Sequence, residues 1–110
     1  MVGAVLSIRF LLRGALACLL LSALPVCTYA ADAANGEMIA KRWCAACHLV
    51  APEQTRASAD VPSFAAVARM KLPPESLKAF LSDPHPRMPN MNLTRSEIDD
   101  IVAYIGSLGQ

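Results

Sequence analysis

The chain has 110 residues, a net charge of +1 at pH 7 and four cysteines, and 55% of its residues are hydrophobic. This length leaves room for one small domain at most once any targeting segment is removed. Because the charge is close to neutral and no basic cluster stands out, the composition argues against nucleic-acid binding.

The start of the chain has the pattern of a secretory signal peptide. Arg9 and Arg13 provide a positive n-region, residues 15–26 form an apolar h-region, and small residues of the cleavage-site type end at Ala30. We therefore expect cleavage after Ala30, with cleavage after Ala33 as the alternative.

This segment has two alternative interpretations, an uncleaved membrane anchor and a lipoprotein site at Cys27. The apolar run is short for a membrane span and contains Pro25. Val26 is large for the position before a lipoprotein cysteine. We therefore expect residues 1–30 to be removed and residues 31–110 to form the mature domain.

The first helix of that domain is predicted over about residues 36–46. Asn35 is the predicted N-cap, and Glu37 would place negative charge in the first turn, where it suits the helix dipole. The apolar stripe of this helix is predicted to consist of Ile39, Ala40 and Trp43.

Residues 44–48 read Cys-Ala-Ala-Cys-His, and the C-x-x-C-H pattern is the attachment signature of c-type haem. Cys44 and Cys47 are three residues apart, so a helical turn puts both sulfurs on one face, where they can add to the vinyl groups of one haem. His48 follows at once and can bind the iron. A zinc site would need four ligands, and a thioredoxin-like dithiol would need a βαβ setting that the sequence does not show.

We therefore predict one haem c, bound covalently through Cys44 and Cys47. Residues 31–110 are close to the size below which a side-chain core alone is marginal. A large buried macrocycle would supply the missing core, so the chain without haem is expected to be poorly folded.

The second half of the domain is predicted to be helical as well. A short helical turn is expected over residues 64–69, a helix over 74–82, and a last helix from Arg95 to about Leu108. Thr94 and Glu97 form a T-x-x-E capping box at the start of the last helix. The apolar face of that helix is predicted to consist of Ile98, Ile101, Val102, Ile105 and Leu108.

Residues 83–92 carry three prolines and are predicted to be an extended loop. Met88 lies in this loop before Pro89, and a methionine thioether is a suitable second axial ligand for the iron of an electron carrier. We predict that Met88 is this ligand, because prolines limit the freedom of the loop. Three alternatives for the sixth position stay open: Met91, His85 and no protein ligand. Met38 is predicted to be a core residue, and Met70 is predicted to be a core residue or a surface gap-filler.

Charges are unevenly placed along the domain. Basic residues outnumber acidic ones between residues 69 and 95, whereas Glu97, Asp99 and Asp100 crowd the start of the last helix. The basic stretch is either a rim that steers an acidic partner or ordinary solvated surface.

Together these residues resemble the small monohaem class I cytochromes c of the bacterial periplasm. Gly36, eight residues before Cys44, looks like the glycine that this family has on its first helix. The C-x-x-C-H motif, the Met88-Pro89 loop and a last helix containing residues 103–105 follow in the family's order. The resemblance implies an all-α, cytochrome c-like fold, with three main helices and a short helical turn around one haem.

The resemblance also implies how the domain is held together. The first and last helices would cross closely at Gly36 and Ala40, which would face Ile101 and Tyr104. The family usually has an aromatic residue where Ala40 stands, and Trp43 is expected to compensate. The position of Pro62 implies that its carbonyl accepts a hydrogen bond from the ligand His48.

In function, the resemblance implies a one-electron carrier and not an enzyme, with His48 and Met88 as axial ligands of an iron that cycles between Fe(III) and Fe(II). The family attaches its haem outside the cytoplasm, which implies a periplasmic protein. The implied partners are a quinol-oxidising complex, a terminal oxidase or a periplasmic dehydrogenase, with no nucleic acid. We expect a monomer without stable membrane insertion after signal cleavage.

Two other functions stay open at this point. One is a tightly bound electron-transfer subunit of a periplasmic oxidoreductase complex. The other is a haem sensor or enzyme with an open sixth position.

Overall fold

The computed structural model describes residues 29–83 and 87–110, and in these ranges the chain forms four helices and no strand. The all-α prediction, with three main helices and one short one, is confirmed. His85 and most of the expected signal sequence lie outside the described residues. In chain order, the helices are α1 (Ala33–Trp43), α2 (Phe64–Arg69), α3 (Pro74–Ser82) and α4 (Arg95–Ser107).

The bounds of α1 differ from the prediction by about one turn. Asp32, not Asn35, is the N-cap, and its side chain accepts hydrogen bonds from the backbone N–H groups of Ala34 at 2.9 Å and Asn35 at 3.2 Å. Glu37 consequently lies beyond the first turn. Either residue type can cap a helix, and here the side chain of Asn35 has a different partner on α4.

Helix α4 begins as the sequence predicts. The Thr94 side chain accepts from the backbone N–H of Glu97 at 3.3 Å, and the Glu97 side chain accepts from the backbone N–H of Thr94 at 2.8 Å. These reciprocal hydrogen bonds form the capping box and satisfy two donors that the helix leaves unpaired. The apolar face also lies where it was predicted, with four of its side chains buried: Ile98, Ile101, Val102 and Ile105.

Helices α1 and α4 cross in close contact at Gly36. A Cβ atom built on Gly36 would overlap the backbone carbonyl oxygen of Asp100 and would lie 3.0 Å from the backbone nitrogen of Ile101. One turn further along α1, Ala40 is fully buried. The two helices therefore pack backbone to backbone, which only small residues on α1 allow, and the predicted crossing is confirmed.

Asp100, one of the acidic residues near the start of the last helix, is buried at this crossing. Its carboxylate is fully buried and accepts hydrogen bonds from the backbone N–H of Asp32 at 2.7 Å and the Asn35 amide at 2.7 Å. The Tyr29 hydroxyl donates to it at 3.1 Å. Burial alone would raise the pKa of Asp100, but these hydrogen bonds outweigh burial and lower the pKa below its ordinary value.

The side chains that α1 contributes to the core are smaller than predicted. Trp43 is 49% exposed and lies with its ring 5.0 Å from the Arg42 guanidinium, and Met38 is 64% exposed. The predictions that Trp43 compensates for Ala40 and that Met38 is a core residue are therefore wrong, because neither side chain packs against the buried cluster. The main buried cluster consists of Ala40, Cys44, Val50, Ala51, Phe64, Ile101, Tyr104 and Ile105.

Helix α3 is attached to α4 at the surface. Pro74 occupies the first turn, where its missing N–H costs no hydrogen bond. Lys78 lies 2.9 Å from Asp99 of α4 and 3.1 Å from Glu75. Leu77 and Leu81 pack against the buried cluster. These apolar contacts hold α3 in place more than the ion pairs do, because exposed ion pairs contribute little.

No helix in the described ranges is long and apolar enough to cross a membrane.

The close contact at Gly36 predicts the effect of adding one methyl group. Gly36→Ala should destabilise the haem-loaded protein by about 1–3 kcal/mol, because backbone atoms that cannot move aside block the new Cβ. Denaturant unfolding of wild type and variant measures this difference.

Gly106→Ala is the matched control, since a Cβ there meets nothing within 4 Å. Replacing glycine by alanine inside a helix should stabilise the protein by up to about 1 kcal/mol. Equal effects of the two substitutions would contradict the close crossing at Gly36.

Asp100 predicts a dependence of stability on pH. Because its pKa is lowered in the folded protein, the carboxylate stabilises the fold above the ordinary pKa of about 4, and this contribution is lost as the pH falls through the folded-state pKa. Asp100→Asn should therefore be less stable than wild type at pH 7, and the difference should shrink towards pH 3. Unfolding free energies measured across this range test the prediction, and a difference independent of pH would contradict it.

Candidate functional site

The end of α1 delivers the two cysteines and the histidine in one tight turn. The backbone N–H groups of Cys44 and Ala45 both donate to the carbonyl of Ala40, at 2.8 and 3.1 Å, and close the helix. The N–H groups of Cys47 and His48 then both donate to the carbonyl of Cys44, at 3.1 and 2.9 Å. The turn therefore keeps the thiols and the imidazole within one short segment.

The two thiols of this turn have different surroundings. Cys44 is buried and Cys47 is exposed, and neither forms a disulfide. Burial, with a smaller contribution from Cys47, raises the pKa of the Cys44 thiol to about 11. Before haem attachment Cys44 is thus a neutral thiol within the core at neutral pH, whereas Cys47 is open to solvent.

His48 is held through one ring nitrogen. Its Nδ1 lies 2.8 Å from the backbone carbonyl oxygen of Pro62. A carbonyl oxygen can only accept, so Nδ1 carries the proton and the lone pair lies on Nε2. The ring also packs near Phe64, with the ring centroids 5.7 Å apart.

Pro62 reaches His48 because a backbone hydrogen bond joins the two segments. The N–H of Phe64 donates to the carbonyl of Leu49 at 2.9 Å. Ser63, between Pro62 and Phe64, caps α2 by accepting from the N–H of Ala66 at 3.1 Å. The start of α2 therefore places the Pro62 carbonyl opposite the imidazole.

The loop after His48 is held by side chains that the sequence analysis did not single out. The Gln54 amide donates to the carbonyls of Ala45 and His48 and accepts from the N–H of Val50, each at 2.9 Å. Ser58 donates to the carbonyl of Ala46 from its hydroxyl at 2.7 Å and from its backbone N–H at 2.9 Å. No local sequence pattern marks these two residues, because their partners are backbone atoms brought close by the fold.

Helix α4 completes the support of this loop. The buried Tyr104 hydroxyl donates to the carbonyl of Val50 at 2.7 Å. The Tyr104 and Phe64 rings are also neighbours, with centroids 6.4 Å apart. The crossing of α1 and α4 therefore continues directly into the segment that carries His48.

Met88 and Met91 lie on the loop before α4, and both are partly buried. In the described part of the chain no hydrogen bond connects either side chain to the group around His48. The structure thus brings Cys44, Cys47, His48 and Pro62 together, and it leaves the second axial ligand a prediction.

The donor set fits a covalently attached haem. Two thiols in C-x-x-C-H spacing and an imidazole whose Nδ1 is already engaged offer two attachment points and one free nitrogen for iron. Combined with an all-helical fold, this arrangement defines the class of c-type cytochromes.

Comparison with known proteins agrees with this class. Residues 31–105 match the family model described as cytochrome c oxidase, cbb3-type, subunit III, and the chain belongs to this cytochrome c family. It is similar to a cytochrome c-552 of Bradyrhizobium diazoefficiens, with 61% identity over 80 residues that cover 72% of this chain and 77% of the relative. A comparison with solved structures finds no match.

The family and the relative establish the cofactor and the general function. The protein is a small monohaem c-type cytochrome that carries electrons, with haem c bound covalently through Cys44 and Cys47. Its partners are other redox proteins.

Proposed function

We propose that the protein is an exported, periplasmic one-electron carrier whose haem iron is bound by His48 and Met88. The observation that carries this proposal is the hydrogen bond from His48 Nδ1 to the Pro62 carbonyl. When bound, the haem supplies reversible one-electron chemistry, and the chain has to hold its ligands still and keep water away from it.

The Pro62 carbonyl would hold His48 still. By holding the Nδ1 proton, it fixes the tautomer and the plane of the imidazole and leaves Nε2 free to bind the iron. Phe64, buried beside the ring, limits its rotation and its contact with water. A fixed ligand keeps the reorganisation that accompanies electron transfer small.

Met88 is supported as the second ligand by its chemistry and its place in the chain. A thioether favours the reduced state and suits a carrier in which no substrate needs to reach the iron. Met88 is partly buried and precedes Pro89, which stiffens the loop ahead of α4. Met91 is partly buried too and is the alternative. With both axial positions filled, we expect no catalysed reaction.

The ligand assignment predicts a spectroscopic difference between two methionine variants. The ferric wild type should be low-spin and show the weak far-red absorption band of sulfur-to-iron charge transfer. Met88→Ala should lose this band, because the ligating sulfur is gone, and Met91→Ala should keep it. Optical spectra of protein made in a host with haem-attachment machinery measure both.

A band that survives in Met88→Ala and disappears in Met91→Ala would move the ligand to Met91. A high-spin wild type would contradict the carrier proposal and favour a sensor or enzyme with an open sixth position.

We propose that the signal sequence is cleaved after Ala30 during export. This position keeps Asp32, whose side chain caps α1 and whose backbone N–H donates to the buried Asp100. Cleavage after Ala33 would remove that cap and the first residue of α1. Cleavage after Ala30 instead removes only Tyr29 among the donors to Asp100, which leaves two strong hydrogen bonds to the carboxylate.

The partner we propose is a terminal oxidase, a quinol-oxidising complex or a periplasmic dehydrogenase. The matching family is described as a subunit of a cbb3-type oxidase, which supports an oxidase as the partner. The same description supports a second candidate function, that of a subunit bound permanently to such a complex. Leu72, an apolar side chain that is 44% exposed, is available for an interface of either kind.

Export and the free-carrier function predict the state of the protein in its native host. The periplasmic fraction should contain a species with the mass of residues 31–110 plus one haem. Because a carrier meets its partners only transiently, gel filtration should place this species at monomer size. Intact-mass analysis and gel filtration of the same fraction test both points.

Co-elution with a large complex would favour the subunit function. A mass that includes residues 1–30 would contradict cleavage and point to an anchor.

A further inference from the structure

Gln54 is the most highly connected side chain around the haem-attachment turn. Its Nε2 lies 2.9 Å from the Ala45 carbonyl, 2.9 Å from the His48 carbonyl and 2.8 Å from the Arg56 carbonyl. Its Oε1 accepts from the N–H of Val50 at 2.9 Å. One amide therefore contacts backbone groups before, at and after the histidine.

These contacts require an amide at this position. Nε2 faces only acceptors and Oε1 faces a donor, so the orientation of the amide is fixed by its partners. A carboxylate of the same shape would put negative charge against the carbonyl oxygens of Ala45, His48 and Arg56. An apolar side chain would leave those carbonyls without this donor.

The contacts also provide partners for several backbone carbonyls of the turn. The alanines between the two cysteines have no polar side chains, so the backbone of the turn needs partners from elsewhere. Gln54 and Ser58 provide them for Ala45, Ala46 and His48. The carbonyls from this segment that accept hydrogen bonds are those of Cys44, Ala45, Ala46, His48, Leu49, Val50 and Ala51.

We propose that Gln54 is a positioning residue of the haem site, which fixes the peptide planes on both sides of the cysteine-histidine segment and thereby sets the orientation of the His48 imidazole. The proposal rests on His48 being an iron ligand. Pro62 fixes one end of the imidazole through Nδ1, and Gln54 fixes the backbone from which the ring extends. Tyr104 links the same segment to α4 through the Val50 carbonyl.

Gln54→Glu tests the proposal with an almost unchanged shape. At neutral pH the introduced carboxylate cannot donate and repels the carbonyls, so the backbone at His48 should shift. The electron paramagnetic resonance g values of the ferric protein, which depend on the orientation of the axial ligands, should then differ from those of wild type.

Two further variants separate positioning from other effects. Gln54→Leu removes the amide without adding a charge, so its g values should be shifted as well. Gln110→Glu adds the same charge at an exposed position and should leave the g values unchanged. Unfolding measured in parallel reports any loss of stability.

Shifted stability with unchanged g values in both Gln54 variants would overturn the proposal and reduce Gln54 to a loop-stabilising residue.

A measurement on wild type does not depend on variants that load haem. The Nε2 protons of Gln54 should exchange with solvent more slowly than those of Gln110, and equal exchange would contradict the proposal. A wild-type spectrum without histidine ligation would instead contradict the proposed function, whatever the exchange of Gln54.

Discussion

The contact between Gly36 and the backbone of Asp100 is the constraint on which the rest of the domain depends. Because no side chain separates the helices there, α1 and α4 meet backbone to backbone, and Ala40 and Ile101 are fully buried beside the contact. Helix α1 ends at the cysteines, and α4 carries the Tyr104 hydroxyl that donates to Val50. The distance between the helices therefore determines how the two sides of the haem-attachment segment fit together.

The attachment turn itself contains little that could hold it. Its intervening residues are alanines, and its hydrogen-bond partners come from later in the chain: Pro62 for the imidazole, Gln54 and Ser58 for the carbonyls. Pro62 makes one such contact, Ser58 makes two and Gln54 makes four. All are directional, so they constrain geometry more than they add stability. The motif supplies the chemistry, and residues outside the motif supply its rigidity.

This division explains what the sequence could predict. The C-x-x-C-H pattern, the capping box at Thr94 and the apolar face of α4 are local, and the structure reproduces both helical features. The predicted N-cap of α1 is wrong because Asp32 and Asn35 are both suitable cap residues. Only the position of Asp100, which binds Asn35, decides between them. The sequence alone does not mark Asp100 as buried, and no motif marks Gln54 as important. Both residues acquire their roles through contacts that only the fold creates.

The size of the core ties folding to the cofactor. The buried cluster includes two alanines and the buried thiol of Cys44, so it removes little apolar surface from water for a domain of this length. The close crossing at Gly36 requires these small residues, since larger ones would push α1 away from α4. The crossing that positions the attachment turn thus also limits the stability that side chains can provide. A covalently held macrocycle would compensate for this limit, and the same covalent bonds would keep it in place through every change of oxidation state.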